Sequence, residues 1–149
     1  MPGVLRVDVD AHRQMLAHAL GGFPEEACGL MGGSMSFDPA TVGDATVDVF
    51  VPARNLDASA RTYTIGPDGF LAADEALGPR GLDVIGVMHS HTHSAAWPSP
   101  TDVAKADNPL LEGWHFVIVS LHEVEPVLRS FVITDGNIAE EAVVLTGGR

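Results

Sequence analysis

The chain has 149 residues, and 20 acidic against eight basic side chains give it a formal charge of −12. This length suits one domain with a buried core over residues 1–149, and 46% hydrophobic against 19% charged residues argues against disorder along the whole chain. The acidic balance disfavours binding to nucleic acid or to an anionic membrane, because both depend on Lys and Arg to neutralise phosphates.

In the first half of the chain, hydrophobic periodicity predicts short elements separated by glycine and proline. Asp10 is expected to cap the first helix, which ends at Gly21-Gly22. The stretch after Pro24 runs into an apolar segment that is closed by Gly32-Gly33. The predicted elements are a strand at 4–9, a helix at 11–20, strands at 25–31, 47–51 and 61–65, and a helix at 67–77.

The second half gives clearer signals. An apolar run at 82–88 reads as a buried strand, and Asp135-Gly136 is a hairpin signal. The predicted elements are a strand at 82–88, a helix at 99–106, and strands at 115–121, 127–133 and 138–145. Together these elements predict an α/β fold with a single mixed, largely antiparallel sheet flanked by helices.

The cysteine count and the ends of the chain bear on location. The one cysteine, Cys28, excludes an internal disulfide framework and fits a reducing compartment. No apolar run approaches the ~20 residues of a membrane span, and the start of the chain lacks the features of a signal peptide. We therefore expect a cytoplasmic protein.

The segment from His89 to Asp102 carries the chemistry. His89 and His91 are two residues apart at the end of a predicted strand, so both side chains point to the same face and can reach one metal ion. A third ligand is needed, and Asp102, eleven residues after His91, is the best candidate. Three protein ligands leave the fourth position of a tetrahedral zinc site open to water, as in catalytic zinc sites.

A purely structural interpretation competes for Asp102. Pro98-Ser99-Pro100-Thr101-Asp102 fits a helix start with Ser99 as N-cap and Asp102 three residues later, which is a capping-box arrangement. A hydrolytic zinc site also needs a base. Glu25 and Glu26 both precede a buried strand, and the residues alone do not choose between them.

The spacing of these residues resembles the JAMM motif of the JAB/MPN (MPN+) zinc metalloprotease family. His89-Ser90-His91, seven further residues and then Ser99-Pro100-Thr101-Asp102 match that motif without a spacing departure. The stretch from Glu26 to Leu30 resembles the upstream Glu-x-Cys-Gly-Leu element of the family, which selects Glu26. Two departures are Thr92, where many members have proline, and the additional histidine His93.

The resemblance implies a sheet flanked by helices, related to the cytidine-deaminase layout, and a set of roles. His89, His91 and Asp102 would bind one Zn²⁺ ion per chain, and Glu26 would take a proton from the attacking water and return it to the leaving amine. Ser99 would donate a hydrogen bond to the oxyanion of the substrate, alongside or instead of its capping role.

The resemblance also implies a substrate. Family members cleave amide bonds after the C-terminal Gly-Gly of ubiquitin-like proteins, and this compact chain is similar to actinobacterial members that release cysteine from small sulfur carriers. The expected partner is such a carrier, with no nucleic acid and no membrane; the oligomeric state stays open. Two alternatives remain: a zinc hydrolase of another small amide, and a non-catalytic MPN binding module.

Eight other residues carry expectations of their own. His93 is expected in an exposed loop, with substrate contact as the alternative, and Cys28 is expected to be a small buried side chain. Trp97 is assigned equally to a substrate groove or to the core, and Asn55 to contact with substrate backbone. His12, His18, His115 and His122 are isolated and are expected to have surface or packing roles.

Overall fold

A computed structural model describes residues 3–41 and 43–147 of the chain. The two ends of the predicted domain, residues 1–2 and 148–149, lie outside the described residues. Three helices are present in the described part: α1 (Val9–Gly22), α2 (Pro67–Leu77) and α3 (Pro100–Ala106). The strands there are β1 (Val4–Asp8), β2 (Cys28–Met35), β3 (Ala45–Ala53), β4 (Asp83–His91), β5 (His115–Ser120), β6 (Val127–Thr134) and β7 (Asn137–Thr146).

The strands form a closed barrel in the order β1-β3-β2-β4-β5-β6-β7, with β7 returning to β1. Strand β1 is parallel to both β3 and β7, and β4 is parallel to β5, whereas the other pairs are antiparallel. The predicted mixed α/β class is thus confirmed, but the single sheet that was expected to be flanked by helices closes into a barrel. Closure depends on the pairing of β1 with β7, from opposite ends of the chain, which no local sequence signal encodes.

The other elements agree with the sequence, apart from three differences. The strand predicted at 25–31 begins at Cys28 and is not closed by Gly32-Gly33, because both glycines pair with β3 and β4 and the strand continues to Met35. The predicted strand at 61–65 is instead part of a loop that makes one isolated bridge, between Asn55 and Ile65. Helix α1 begins earlier than expected because the side chain of Asp8, rather than that of Asp10, accepts the first backbone N–H groups. The hairpin at Asp135-Gly136 is confirmed, with positive φ at both residues.

Two groups of buried side chains hold the barrel and its helices together. Helix α1 places Met15 against barrel residues that include Val7, Met31 and Met88. Helix α2 places Leu77 against Leu30, Val87 and Phe116. Since β2 and β4 lie in both groups, the strand that ends in His89 and His91 is fixed from two sides.

A buried polar group joins three strands of the barrel. The Nδ1 atom of His115 lies 2.6 Å from Oε2 of Glu141, and the hydroxyl of Ser130 donates to the same oxygen at 2.7 Å. All three side chains are buried, which satisfies the packing role expected of His115. No helix in the described part of the chain is both long and apolar enough to cross a lipid bilayer.

Candidate metal centre

Strand β4 carries two histidines at its carboxyl end. It pairs with β2 on one side and β5 on the other, so His89 and His91 project from an interior strand and both are buried. Ser90, between them, faces the other way, and its hydroxyl accepts the backbone N–H of Ala27 at 2.7 Å. This bond ties the strand of the two histidines to the segment that carries Glu26.

Asp102 reaches the two histidines from the first turn of α3. Ser99 is the N-cap of this helix: its hydroxyl accepts the N–H of Asp102 at 3.1 Å, and Oδ2 of Asp102 accepts the N–H of Ser99 at 2.9 Å. The capping box predicted from the sequence is therefore present. It does not remove Asp102 from the histidines, because the same Oδ2 atom also faces both imidazoles.

The three side chains form a nearly equilateral triangle of ligand atoms. Nε2 of His89 lies 3.1 Å from Nε2 of His91, and these atoms lie 3.2 and 3.1 Å from Oδ2 of Asp102. Ligands that surround one zinc ion tetrahedrally at ~2.0–2.1 Å lie about 3.3 Å from one another. The triangle fits a zinc ion, and these residues are the group with metal-ligand geometry in the described part of the chain.

The hydrogen bonding of His91 explains why a cation fits between these atoms. Its Nδ1 atom lies 2.8 Å from the carbonyl oxygen of Ala95, which can only accept, so Nδ1 carries a proton. In the neutral ring, Nε2 then presents a lone pair toward the carboxylate of Asp102 and toward His89. Converging lone pairs need a proton or a metal ion among them.

The pKa directions agree with this arrangement. Burial lowers the pKa of His89, which keeps its imidazole neutral, as a metal ligand must be. Burial opposes ionisation of Asp102, but the adjacent imidazoles of His89 and His91 favour its charged form and hold its pKa well below the ordinary value. Burial also opposes charge on His91, yet its bonds to Asp102 and Ala95 raise its pKa. The site thus has a fixed negative charge and favours a positive one beside it.

His89 is oriented differently from His91. Its Nδ1 atom is buried and has no hydrogen-bond partner among the described residues. Instead, the ring of Tyr63 stacks on its imidazole, with 4.5 Å between centroids and 21° between planes. The ammonium group of Lys105 lies 4.1 Å above the Tyr63 ring and donates to the Tyr63 carbonyl. Tyr63 was missed by the sequence analysis, because no motif links it to the histidines.

Glu26 faces the cavity in front of the triangle, whereas Glu25 is exposed to solvent. Two hydrogen bonds hold the backbone of Glu26 in place. Its N–H donates to the carbonyl of Ser59 at 2.8 Å, and its carbonyl accepts from the side-chain amide of Asn55 at 3.0 Å. Burial raises the pKa of Glu26 to about 7, although the charge of His91 opposes the shift. A carboxyl group with this pKa can accept and release protons near neutral pH.

The cavity has a volume of about 460 Å³. It is lined by Glu26, Ala60, Arg61, His91, His93, Ser94 and Ser99. Ser99 thus borders both the cavity and the helix start. Its oxygen is used as the cap acceptor, which leaves its proton free to donate into the cavity.

The structure also shows the surroundings of His93, Cys28 and Trp97. His93 lies in an exposed loop, as predicted, with Nδ1 2.8 Å from the Thr92 hydroxyl and its ring against Phe23. Cys28 is fully buried, and burial raises the pKa of its thiol to about 11, so it is the inert side chain expected. Trp97 packs edge-on against Phe131 and remains 49% exposed, outside the residues that line the cavity.

The expectation that Asn55 contacts substrate is wrong. Its amide nitrogen donates to the carbonyls of Glu26 and Thr62, and its carbonyl oxygen accepts the N–H groups of Asp57 and Thr64. Both donors and both acceptor positions of the side chain are therefore used within the protein. Asn55 shapes the loop between β3 and α2 and holds it against Glu26.

Comparison with known proteins agrees with this geometry. Residues 8–134 match the family model described as prokaryotic homologs of the JAB domain. A protein named CysO-cysteine peptidase, from Mycobacterium tuberculosis, is 32% identical over 141 residues, which is 94% of this chain and 90% of the relative. A protein named desampylase, from Haloferax volcanii, is 33% identical over 122 residues, covering 78% of this chain and 80% of the relative.

A solved structure shares the fold. The solution structure of a protein from Desulfitobacterium hafniense superposes with a TM-score of 0.83 at 32% sequence identity. The match covers 97% of this chain and 94% of that protein. The fold is thus shared over nearly the full length of both proteins.

Proposed function

The chain belongs to the prokaryotic JAB-domain family, and we propose that it is a zinc-dependent peptidase acting on a small protein modifier. Its substrate would be a ubiquitin-like or sulfur-carrier protein, cleaved at the amide bond that follows the C-terminal Gly-Gly. The observation that carries the proposal is the triangle of His89, His91 and Asp102 beside a cavity that Glu26 also lines.

The names of the relatives support the substrate class. One is named CysO-cysteine peptidase, and another is named desampylase. Both align with this chain over more than three quarters of its length. A non-catalytic binding module would have no need of a buried carboxyl group with a pKa of about 7 beside three converging ligand atoms.

His89, His91 and Asp102 would hold the zinc ion. Bound there, the ion would lower the pKa of water toward about 7 and polarise the scissile carbonyl group. The two neutral imidazoles and one carboxylate leave a net positive charge at the centre, which favours the developing oxyanion of the substrate. The rigid strand β4 keeps both histidines in place while the substrate enters.

Glu26 would act as the proton carrier. As the carboxylate, it takes the proton of the attacking water and so increases the nucleophilicity of the oxygen. Once the tetrahedral carbon has formed, Glu26 returns that proton to the amine nitrogen, and the C–N bond breaks. The hydroxyl of Ser99 donates a hydrogen bond to the oxyanion during the same step.

A hydrolysis assay tests the proposal. Recombinant ubiquitin-like carriers that end in Gly-Gly-Cys are incubated with the zinc-loaded protein and weighed by mass spectrometry. We expect the loss of one cysteine residue with wild type and with Glu25→Gln, but not with Glu26→Gln. Carriers that stay intact with the wild type, while other small amides are cleaved, would contradict the proposed substrate. Intact carriers and intact amides would favour a binding module.

A further inference from the structure

One basic side chain stands in the wall of the cavity. Arg61 lines it together with Glu26, and it is the sole Lys or Arg among the described residues that do so. Arg61 is exposed to solvent. Four other arginines, Arg6, Arg13, Arg54 and Arg129, lie beside carboxylates of the protein. No carboxylate of the described residues lies within 4 Å of the Arg61 guanidinium, which makes it available to an anion that enters the cavity.

The backbone that carries Arg61 is held firmly on both sides. The hydroxyl of Thr92 donates to the carbonyl of Ala60 at 3.1 Å, and the amide of Asn55 donates to the carbonyl of Thr62 at 2.9 Å. The hydroxyl of Ser59 accepts the N–H of Arg61 itself at 3.0 Å. Arg61 thus stands on a fixed loop rather than on a mobile one.

The same loop contacts Glu26 directly. The carbonyl of Ser59 accepts the N–H of Glu26 at 2.8 Å, two residues before Arg61. In the proposed reaction, Glu26 protonates the amine that leaves. An amine that takes its proton from Glu26 would lie in the cavity that Glu26 and Arg61 both line, which would bring the group attached to that amine into the same cavity as Arg61.

The chemistry of the leaving group decides what Arg61 can bind. When the leaving group is a single amino acid, the carbon that bears its amine also bears a free α-carboxylate. An isopeptide substrate places the aliphatic side chain of a lysine there, with no charge near the amine. Arginine is the side chain best suited to a carboxylate, because its guanidinium can form two parallel hydrogen bonds to it.

Building on the proposed peptidase function, we propose that Arg61 binds the α-carboxylate of the amino acid released from the carrier. Arg61 is then a specificity residue: it favours carriers that bear one C-terminal amino acid over carriers joined to a lysine side chain. The alternative is that Arg61 contacts an acidic surface of the carrier, and this alternative differs from carboxylate binding in one respect. It does not depend on the charge of the leaving group.

Binding without turnover tests the inference. Two acetylated octapeptides ending in Gly-Gly-Cys, one with a free carboxylate and one with a carboxamide, are titrated calorimetrically into the zinc-loaded Glu26→Gln protein. We expect the carboxylate peptide to bind about tenfold more tightly than the carboxamide. Adding Arg61→Gln should remove this preference by weakening the carboxylate peptide alone, and Arg61→Lys should retain part of it.

Arg80→Gln is the matched control for Arg61→Gln. Arg80 is exposed and precedes β4, at the end of the strand opposite the histidines, so Arg80→Gln changes the same charge without affecting the preference. If Arg61→Gln lowers the affinity for both peptides equally, Arg61 contacts the carrier part of the substrate rather than the α-carboxylate, and the inference is overturned. Equal affinities in the Glu26→Gln parent, or binding of neither peptide, would overturn it as well.

The binding and cleavage measurements together distinguish failure of carboxylate binding by Arg61 from failure of the proposed peptidase function. If Glu26→Gln prefers the carboxylate peptide through Arg61 but the wild type cleaves no carrier conjugate, the peptidase function fails and the carboxylate site stands. If the wild type cleaves the conjugates but Arg61→Gln leaves the preference for the carboxylate peptide unchanged, the peptidase function stands and the proposed role of Arg61 fails. Thermal unfolding of each variant shows whether the exchanged side chain has affected the fold.

Discussion

The phenol ring of Tyr63 stacks on the imidazole of His89, at a centroid distance of 4.5 Å, and covers a ring whose Nδ1 atom has no partner among the described residues. Histidine ligands of metals almost always donate their second ring N–H to an oxygen, as His91 does to Ala95. Stacking therefore replaces hydrogen bonding as the means by which His89 is oriented.

We predict that Tyr63→Leu weakens zinc binding about three- to tenfold, because an aromatic pair contributes about 0.5–1.5 kcal/mol beyond its buried area. Tyr63→Phe keeps the stacked ring and should bind zinc like the wild type. Competition with a chromophoric chelator measures both affinities. Equal affinities for Tyr63→Leu and the wild type would show that the ring does not orient His89.

Glu26→Gln should lower kcat about 10²–10⁴-fold on the carrier substrate while zinc content stays at one ion per chain, since the amide cannot carry the proton. Glu25→Gln is the matched control: its side chain is exposed, and it should keep wild-type activity. Steady-state kinetics together with metal analysis separates loss of the base from loss of the ion. Full turnover by Glu26→Gln would remove Glu26 from the mechanism.

The pH profile should have an acidic limb set by Glu26. Burial raises the pKa of this carboxyl group from 4.5 to about 7, and only the carboxylate can accept a proton. A zinc ion nearby favours the carboxylate and lowers the pKa again, so kcat/KM should fall as the pH drops through a value between 4.5 and 7. A profile that is flat from pH 4.5 to 8, with zinc content constant, would contradict this.

Removing Glu141 should destabilise the barrel. Glu141→Ala leaves the buried His115 and Ser130 without their shared partner, and we expect a loss of about 3 kcal/mol in the free energy of unfolding. The neighbouring Glu140 is exposed, and Glu140→Ala should change stability by less than about 0.5 kcal/mol. Denaturant unfolding measures both. Similar stabilities of the two variants would mean that the buried contacts of Glu141 with His115 and Ser130 contribute little to the free energy of unfolding.

The features that the sequence predicted are those encoded by residues close together in the chain. The two histidines share a face because of the two-residue period of a strand, and the cap of α3 depends on Ser99 and Asp102 alone. The hairpin at Asp135-Gly136 is equally local. The metal triangle could be predicted because its three members span only fourteen residues and match a spaced motif.

Features that join distant parts of the chain could not be predicted. Closure of the barrel pairs Leu5 with Val143, and the Tyr63 ring meets a histidine 26 residues later, and neither pairing has a local signal. The alternation in residues 61–65 resembled a strand, but Asn55 satisfies the backbone of that segment in a loop instead. The position of Arg61 in the cavity wall follows from that loop.

The proposed hydrolysis depends above all on one zinc ion held by His89, His91 and Asp102 in front of Glu26. Anomalous scattering from crystals of the zinc-loaded protein, recorded on both sides of the zinc edge, tests this most directly. We expect one strong peak about 2.0–2.1 Å from Nε2 of His89, Nε2 of His91 and Oδ2 of Asp102. No peak among these three atoms, or a peak at His93 instead, would contradict it.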